Sequence, residues 1–534
     1  MKKFTANLLI GFMLLHIPSV FAAENAEIKK NPSSFYKDFF DHNIYYDNTS
    51  YLRFDRLGRL ITRKKLRAAD VNVYDEVADS SFFTNRQGRK NLSAQDLTKG
   101  YEENSGPDLS GKLTLIGGAL EGLRPYFEVK DSKGDSYTVY FDASDSLGLT
   151  TGAMMVASRA YYAAGYNVPQ ITLISVSPDQ LVANTDSRFV DVSGFRRKLS
   201  KEKIDELVLM LPWAEDGKFR AVAVKTPAGE DKGPFNFQGH RKNVSDDKWQ
   251  HENLRELRAL RVFAAWLNDF EVRDGKTRSY LVSENGKAVL KNYLWGFQGA
   301  LGSDVAGAKP PMLGHEYVYD AGETTKAVMT LGFWEKPWQK RWKENGQSVQ
   351  NPAVGYFDNK ELRANKFKTV LPQYTFKDIS RADGFWAAKI LKSFTDEQIK
   401  ALVDAGKYAD AADADIITKT LIERRDLIAA YWFSKSAPLD SFEIKSGQLT
   451  FEDLAKKYGF ENEEAYKIEI TSADKKAKTL GSFESKNTSV KIEPAWQSGD
   501  VKVWIRKVRA NEKNKPYVMV ELKNGSVAQI IHQD

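Results

Sequence analysis

Residues 249–303 read WQHENLRELRALRVFAAWLNDFEVRDGKTRSYLVSENGKAVLKNYLWGFQGALGS. Between Gln250 and Leu267, apolar residues recur at three- and four-residue steps, which is typical of one face of an amphipathic helix. These apolar residues are Leu254, Leu257, Leu260, Phe263, Ala264 and Leu267. Charged residues lie largely on the other side: Glu252, Arg255, Glu256, Arg258 and Arg261. The pattern predicts a core helix with a solvated charged face, on which Glu252 can meet Arg255 because the two are three residues apart.

A turn and a hairpin follow the predicted helix. Asp274-Gly275 is a turn signal. Two short, partly apolar runs, 279–283 and 287–294, flank Glu284-Asn285-Gly286, whose Asn-Gly step is typical of a β-hairpin turn. The stretch is therefore predicted to run helix, loop, hairpin and glycine-containing loop.

This order of elements is that of a protein-kinase catalytic segment. There, the first loop carries an Asp base and an Asn metal ligand, and the loop after the hairpin carries an Asp that holds Mg²⁺. Three short motifs make the likeness specific: residues 268–271 (Asn-Asp-Phe-Glu), 276–279 (Lys-Thr-Arg-Ser) and 296–299 (Gly-Phe-Gln-Gly). With them the chain resembles a family of secreted bacterial proteins that have a protein-kinase-like core. Members of that family typically carry Asn-His-Asp-Asp, Asn-Thr-Leu-Asp and Asp-Phe-Gly-Ser at these three places.

The resemblance implies that the chemical residues of the family are replaced in this chain. Glu271 stands where the base is expected, Lys276 where the metal-binding Asn is expected, and Gly296 where the metal-binding Asp is expected. A lysine cannot ligate Mg²⁺, and a glycine offers no carboxylate. We therefore expect a degenerate, pseudokinase-like member with no metal site and no cofactor.

The residues N-terminal to this stretch resemble the antiparallel small lobe of a kinase. Segments 112–116, 126–130 and 137–141 are predicted strands. Gly117 and Gly118 lie either in a plain turn or at the place of a glycine loop that covers phosphates.

Two further family positions are changed. Tyr140 stands where the third strand of the family carries Lys, and Met154, in a predicted helix over 151–164, stands where Glu pairs with that Lys. The two replacements agree with each other, because a buried Glu without its Lys is unpaired and costly.

The composition is that of a globular protein. The chain has 534 residues, of which 42% are hydrophobic and 28% charged, and this suits two or three domains. Its formal net charge of +7 comes from interspersed basic and acidic residues, so neither nucleic acid nor an anionic membrane is indicated as a partner. The chain contains no Cys, which excludes disulfides, a thiol nucleophile and a Cys-ligated metal.

Residues 1–22 are typical of a secretory signal peptide. Two lysines precede an apolar run at 8–17, and Val20-Phe21-Ala22 fits the small-residue rule for cleavage before Ala23. The apolar run is short for a membrane span. We expect a periplasmic or extracellular protein without a membrane span in its mature form, whose partner is a protein or a component of the cell envelope.

The predicted fold class is α+β. A protein-kinase-like two-lobed core, with an antiparallel β small lobe and a helical large lobe, precedes a small C-terminal antiparallel β-domain, predicted as a sandwich. The predicted boundaries are 1–22 for the signal peptide, 23–110 for an aromatic, turn-rich segment that packs on the core, 111–437 for the core (small lobe about 111–185, large lobe about 186–437) and 438–534 for the β-rich domain.

Three tryptophans form a second candidate site. Trp334, Trp338 and Trp342 are four residues apart and can share one helix face, although Pro337 interrupts the run. Such a row can stack on sugars or on a peptide, but packing in the core or between lobes is the commoner use. The neighbouring His315-Glu316 lacks the spacing of a metal site.

Three functions stay open on this basis. The first is an exported pseudokinase-like binding or scaffold protein without phosphoryl-transfer activity. The second is an enzyme with a repurposed cleft that acts on an anionic substrate through Glu271, with Asp269, Arg273, Asp274 and Arg278 as further cleft residues. The third is a surface glycan-binding protein that uses the tryptophans.

Overall fold

The computed structural model describes most of the chain. The described residues are 28–46, 58, 65–121, 124–191, 193–214, 216–242, 244, 247–346, 348–349, 351–461, 465–474, 477–493, 500–509 and 516–533. The predicted signal peptide, residues 1–22, lies outside them. Among the described residues, no helix is both long enough and apolar enough to cross a bilayer.

The described chain is a mixed α+β structure, which confirms the predicted class in its coarse form. The helices are α1 Phe35–Phe40, α2 Ala94–Lys99, α3 Leu149–Ala164, α4 Lys201–Val208, α5 Arg255–Leu267, α6 Ala321–Met329, α7 Pro337–Glu344, α8 Tyr374–Lys377, α9 Arg381–Lys392, α10 Asp396–Asp404, α11 Ala411–Lys435 and α12 Leu454–Lys457. The strands are β1 Leu113–Glu121, β2 Arg124–Lys130, β3 Ser136–Phe141, β4 Ile171–Val176, β5 Leu181–Ala183, β6 Arg188–Val190, β7 Arg196–Lys198, β8 Phe219–Lys225, β9 Glu230–Asp231, β10 Thr277–Glu284, β11 Lys287–Leu294, β12 Ser303–Asp304, β13 Gly307–Ala308, β14 Leu439–Lys445, β15 Gln448–Asp453, β16 Tyr466–Ser472, β17 Thr479–Ser485, β18 Ser489–Lys491, β19 Val501–Lys507, β20 Tyr517–Lys523 and β21 Ser526–Gln533.

The largest sheet has its strands in the order β4-β8-β3-β2-β1-β6-β7, with β5 beside β1. Neighbours are antiparallel, except that β1 runs parallel to β5 and β6. Because side chains alternate along a strand, the two faces of β3 enter different cores. Tyr137, Val139 and Phe141 pack in a core shared with α4, whereas Tyr140 packs against the core that contains α3.

Gly117 and Gly118 lie inside strand β1, so the prediction of a turn or of a phosphate-covering loop at this place is wrong. A bulge between Leu115 and Gly117 shifts the register of β1 against β2. A Cβ atom at Gly117 would lie 2.5 Å from Glu128 Oε2, and one at Gly118 would lie 2.5 Å from the Tyr126 carbonyl oxygen. The two glycines therefore allow β2 to approach closely.

Helix α5 lies at the centre of the helical region and packs against α8, α9 and α11. Arg255, Glu256 and Arg258 are each 1% exposed, so the prediction of a solvated charged face is wrong. Arg255 Nη2 lies 3.1 Å from Asp75 Oδ1, and its Nε lies 3.0 Å from Asp383 Oδ1. Neighbouring segments cover the charged side of the helix and supply the carboxylates that neutralise it.

Helix α5 also begins later than predicted. A 3₁₀ turn, His251–Asn253, precedes it. Glu252 does not pair with Arg255 but accepts a hydrogen bond from the Gly239 N–H at 2.8 Å. The apolar periodicity thus extends beyond the α-helix itself, into a turn that buries Leu254.

Strands β10 and β11 form the predicted hairpin. The turn residues Asn285 and Gly286 have φ values of 50° and 75°, the left-handed conformation that a type I′ turn requires. The hairpin leads from the loop after α5 to the loop that begins at Trp295.

The N-terminal segment packs on this framework. Phe82 and Phe83 of this segment are buried and belong to the core that contains α3 and α5. The Phe83 ring meets Tyr166 edge-on at 5.5 Å, and the Tyr166 hydroxyl donates to the Glu256 carbonyl at 2.7 Å.

Strands β14 to β21 form two antiparallel sheets, β14-β15-β18 and β17-β16-β19-β20-β21. Their apolar faces share one core, to which Leu439 contributes from the first sheet and Ile468 from the second. Strand β21 contacts the helical region, where His532 Nδ1 lies 3.0 Å from Asp75 Oδ2. The same Asp75 therefore binds both the last strand and the central helix.

Candidate functional site

The three motif segments lie close together beyond the C-terminal end of helix α5. Asn268 caps the helix with a left-handed φ of 52°, and its Nδ2 donates to the Leu301 carbonyl at 2.6 Å. The Phe270 N–H donates to the Gly299 carbonyl at 3.2 Å. These bonds hold the loop after α5 against the loop after β11.

Lys276 and Glu271 form an ion pair at this junction. Lys276 Nζ lies 3.2 Å from Glu271 Oε2, and the two side chains are 9% and 11% exposed. A Cβ atom at Gly296 would lie 2.4 Å from Lys276 Cδ, and one at Gly299 would lie 2.4 Å from Glu271 Cγ. The two glycines therefore leave the space that the charged side chains occupy.

Two further carboxylates, those of Asp269 and Asp304, surround the ion pair. Burial raises the pKa of Asp269 to about 7; the nearby Glu271 charge adds to this rise, and a hydrogen bond from Tyr161 opposes it. That bond runs from the Tyr161 hydroxyl to Asp269 Oδ2 at 2.9 Å. Burial raises the pKa of Asp304 to about 6, and the Glu271 charge adds to it. Lys276 lowers both pKa values, and the Arg124 charge also lowers that of Asp304.

These residues do not fit a divalent cation. The Lys276 ammonium is itself a cation among the carboxylates, and Gly296 supplies no ligand atom. Within the described ranges, no three His, Asp or Glu side chains are placed to hold a metal ion. The cluster can hold protons and balance charge, but its donor set is not that of Mg²⁺.

Tyr140 and Arg124 lie on the side of the large sheet that faces this cluster. The rings of Tyr140 and Tyr126 pack with their centroids 5.6 Å apart. Arg124 Nη1 donates to the Phe141 carbonyl at 2.8 Å and to Thr150 Oγ1 at 2.9 Å. The guanidinium therefore links strands β2 and β3 to helix α3.

Little space is left between the sheet and the motif loops. The cleft between Arg124, Tyr140 and Gln298 has a volume of about 10 Å³, which is about the room needed for one water molecule. Met154, on helix α3, is fully buried among apolar side chains.

Arg273, Asp274 and Arg278 lie away from the cluster. Arg273 Nη1 lies 2.6 Å from Asp38 Oδ2, and Asp274 Oδ2 lies 3.3 Å from His42 Nε2. Arg278 donates to two backbone carbonyls of its own loop. Helix α1 and the turn after it cover this part of the loop, so Arg273 and Asp274 hold the N-terminal segment in place, whereas Asp269 lies in the cluster.

A much larger cavity, of about 580 Å³, opens next to Asn268. Segments 309–317 and 356–368 line it, together with α6, α7 and the middle of α11. Its lining contains eight Lys and Arg residues and four Asp and Glu residues, an excess of four positive charges. Sequence analysis missed this cavity because separate segments form it; the local signals near it were His315-Glu316 and the tryptophans.

The structure divides the tryptophan row. Pro337 does not interrupt a helix but begins α7, so Trp334 lies before the helix and does not share its face. Trp334 and Trp338 line the cavity. Trp342 packs edge-on against Tyr356, with ring centroids 5.8 Å apart.

Two buried cations, Lys309 and Arg424, lie in the lining of this cavity, and each is 3% exposed. Burial and, next, the Arg424 charge lower the pKa of Lys309 to about 7, while the charges of Asp358 and Asp304 oppose this fall. Burial also lowers the pKa of Arg424 to about 9. The pKa of His315 is lowered to about 3 by burial and by the charges of Lys309, Arg424 and Lys368. The cavity is therefore a strongly electropositive environment.

No family model matches the chain, and no curated protein matches it. Among solved structures, the chain is similar to the Helicobacter pylori proinflammatory kinase CtkA at 11% identity and a TM-score of 0.28, over 58% of this chain and 94% of that one. It is similar to the Golgi casein kinase with Mn/ADP bound at 9% identity and a TM-score of 0.23, over 56% and 75% of the two chains. It is similar to a second structure of the Golgi casein kinase at 9% identity and a TM-score of 0.23, over 66% of this chain and 88% of that one. TM-scores this low do not establish a common fold.

Proposed function

We propose that this protein is an exported binding or scaffold protein, built on a kinase-like core, that does not transfer phosphate. The observation that carries the proposal is the Lys276–Glu271 ion pair against Gly296. It occupies the junction at which the resemblance places Mg²⁺. A fixed ammonium on the protein takes the place of an exchangeable metal ion there, and it cannot bridge phosphates as a metal does.

The order of the elements supports the kinase-like core. Strands β1 to β3, helix α3 and strand β4 follow one another as in a kinase small lobe, and α5, the hairpin and the next loop follow as in a catalytic segment. In this frame, Tyr140 replaces the lysine that binds phosphates and Met154 replaces its glutamate partner.

The cleft geometry supports the absence of phosphoryl transfer. Catalysis of this reaction is mainly positioning and electrostatic stabilisation, so it depends on the metal ions and on room for the nucleotide. Pockets for small ligands have volumes of roughly 300–1,000 Å³, whereas the cleft beside Tyr140 has about 10 Å³.

A thermal-shift titration tests the proposal. The purified protein is titrated with ATP, ADP and GTP, each with and without Mg²⁺ or Mn²⁺, because a ligand that binds only the folded state raises the melting temperature. We expect no metal-dependent shift. Stoichiometric, Mg²⁺-dependent transfer of phosphate from a nucleotide would refute the proposal.

Export is tested separately. Residues 1–22 should direct a periplasm-specific reporter out of the bacterial cytoplasm, and the N-terminus of the exported protein should be Ala23. Recovery of the uncleaved chain from the cytoplasm alone would contradict the export part of the proposal.

A further inference from the structure

The lining of the 580 Å³ cavity includes two buried cations, Lys309 and Arg424, which we call its floor, and two tryptophans, Trp334 and Trp338, which we call its wall. We propose that the cavity binds an acidic saccharide, whose anionic group contacts Lys309 and Arg424 and whose sugar ring packs against Trp334 and Trp338. The cavity shares none of its lining with the Lys276–Glu271 cluster. The inference therefore goes beyond the proposed function and does not depend on the loss of phosphoryl transfer.

The floor has donors but no matching carboxylates. Lys309 Nζ donates to the Leu313 carbonyl at 2.7 Å, and the Arg424 guanidinium donates to the carbonyls of Ala265 and Asp358 at 2.8 and 2.9 Å. No carboxylate in the described part of the chain lies within 4.0 Å of either charged group. Burying two cations in this way is unfavourable, and an anion in the cavity would compensate for it.

Other buried cations of this protein have protein partners. Arg255 lies against Asp75 and Asp383, and Lys507 Nζ lies 2.8 Å from Asp453 Oδ2. Their carboxylate neighbours raise the pKa values of both cations, which is the opposite of the direction found for Lys309 and Arg424. Arg255 and Lys507 thus have carboxylates within hydrogen-bond distance, whereas Lys309 and Arg424, which border the cavity, are influenced by Asp358 only from beyond 4.0 Å.

The wall is held in place by acidic residues. Trp338 Nε1 donates to Glu316 Oε1 at 2.5 Å, and Trp334 Nε1 donates to Glu323 Oε2 at 3.2 Å. Both indole N–H groups are thereby satisfied, and the rings are fixed in orientation before a ligand binds. An amphipathic ring of this kind suits the apolar face of a sugar, while Lys309 and Arg424 suit its charge.

The volume sets the size of the ligand. About 580 Å³ is within the range of small-molecule sites and leaves room for a sugar with its acidic group. A bare inorganic anion would contact Lys309 and Arg424 but would leave the tryptophan wall uncovered. A neutral sugar would leave the buried cations uncompensated.

Isothermal titration and thermal shift of the purified protein test the inference with three probes: glucuronate, glucose and inorganic phosphate. We expect glucuronate to bind about tenfold or more tightly than the other two, because a hydrogen-bonded charge contact in a buried site contributes a factor of this order. Equal affinity for glucose and glucuronate would overturn the anionic part. Equal affinity for phosphate and glucuronate would overturn the proposal that a sugar ring packs against the tryptophans. No binding of glucuronate would overturn both this and the proposed contact between its carboxylate and the buried cations.

Three variants locate the binding. Lys309→Met should weaken glucuronate binding about tenfold to a hundredfold while raising the melting temperature of the ligand-free protein, so lost binding cannot be attributed to misfolding. Trp334→Ala with Trp338→Ala should weaken glucuronate binding but leave phosphate binding unchanged. Lys232→Met is the matched control, since Lys232 is buried but lies 2.7 Å from Glu230. It removes the same charge and should leave glucuronate binding unchanged; a loss equal to that of Lys309→Met would overturn the assignment.

Discussion

The ammonium of Lys276 lies 3.2 Å from the carboxylate of Glu271. The side chain of Lys276 passes over Gly296, where a Cβ atom would lie 2.4 Å from the Cδ of Lys276. The lysine at 276 and the glycine at 296 therefore depend on each other, because the long cationic side chain occupies the volume that a side chain at 296 would need.

We expect Gly296→Asp to lower the free energy of unfolding by about 1–3 kcal/mol, the usual cost of overpacking. In a Lys276→Asn background the same substitution should cost less, because the conflicting Cδ is gone. A double-mutant cycle by urea denaturation measures the coupling. Strictly additive costs would show that the two side chains do not compete for one space.

Asp269→Asn should change how stability depends on pH. Burial raises the folded-state pKa of Asp269 to about 7 from its ordinary value of 3.8. Between these values the folded state holds the proton more tightly than the unfolded state, so this group costs stability as pH rises from about 4 to about 7. The facing groups are Tyr161, Glu271 and Lys276.

The Asn side chain does not titrate, so the free energy of unfolding of the variant should fall less than that of the wild type as pH rises over that range. Denaturation at several pH values measures the difference. Tyr161→Phe is the control, since it removes the hydrogen bond but leaves the titrating carboxylate; parallel pH profiles for Asp269→Asn and the wild type would contradict the assignment.

Arg255→Met should lower the free energy of unfolding by about 3–5 kcal/mol, because it removes the buried cation that Asp75 and Asp383 share. Arg67→Met is the matched control: Arg67 also lies 3.2 Å from Asp75, but its side chain is 40% exposed. Arg67→Met should lower the free energy of unfolding by less than about 1 kcal/mol. Similar costs for the two variants would mean that burial does not set the strength of these pairs.

Lys309→Met should stabilise the ligand-free protein most below pH 7. Burial and the Arg424 charge lower the folded-state pKa of Lys309 to about 7 from its ordinary value of 10.5. Below pH 7 the buried ammonium is charged and its full cost is present; between about pH 7 and 10.5 the unfolded state binds more protons, so wild-type stability rises with pH. The groups that face Lys309 are Arg424, His315, Asp358 and Asp304.

The gain in melting temperature of Lys309→Met over the wild type should therefore shrink as pH rises from 7 towards 10. Differential scanning calorimetry across this range measures it, with Lys232→Met as the comparison. A gain that stays constant with pH would show that Lys309 does not titrate in this range.

Local chemistry was enough to predict the hairpin and the order of elements around it. Asn285 and Gly286 adopt left-handed φ values that few other pairs tolerate, so their identity selects the turn wherever the hairpin packs. The periodicity of α5 likewise predicted its buried apolar face. It did not reveal that Arg255 and Arg258 are buried, because the carboxylate of Asp383 that neutralises them comes from a distant segment.

The sequence by itself determined the mixed class and the hairpin, since these depend on periodicity and turn chemistry; that Glu271, Lys276 and Gly296 stand at one site was implied only by the family resemblance. Only the tertiary structure decided that Gly117-Gly118 lies within a strand, that helix α1 covers Arg273 and Asp274, and that Lys309 and Arg424 share one cavity. The physical reason is that burial and electrostatics depend on which distant surfaces come into contact, and a residue's own neighbours along the chain do not specify them.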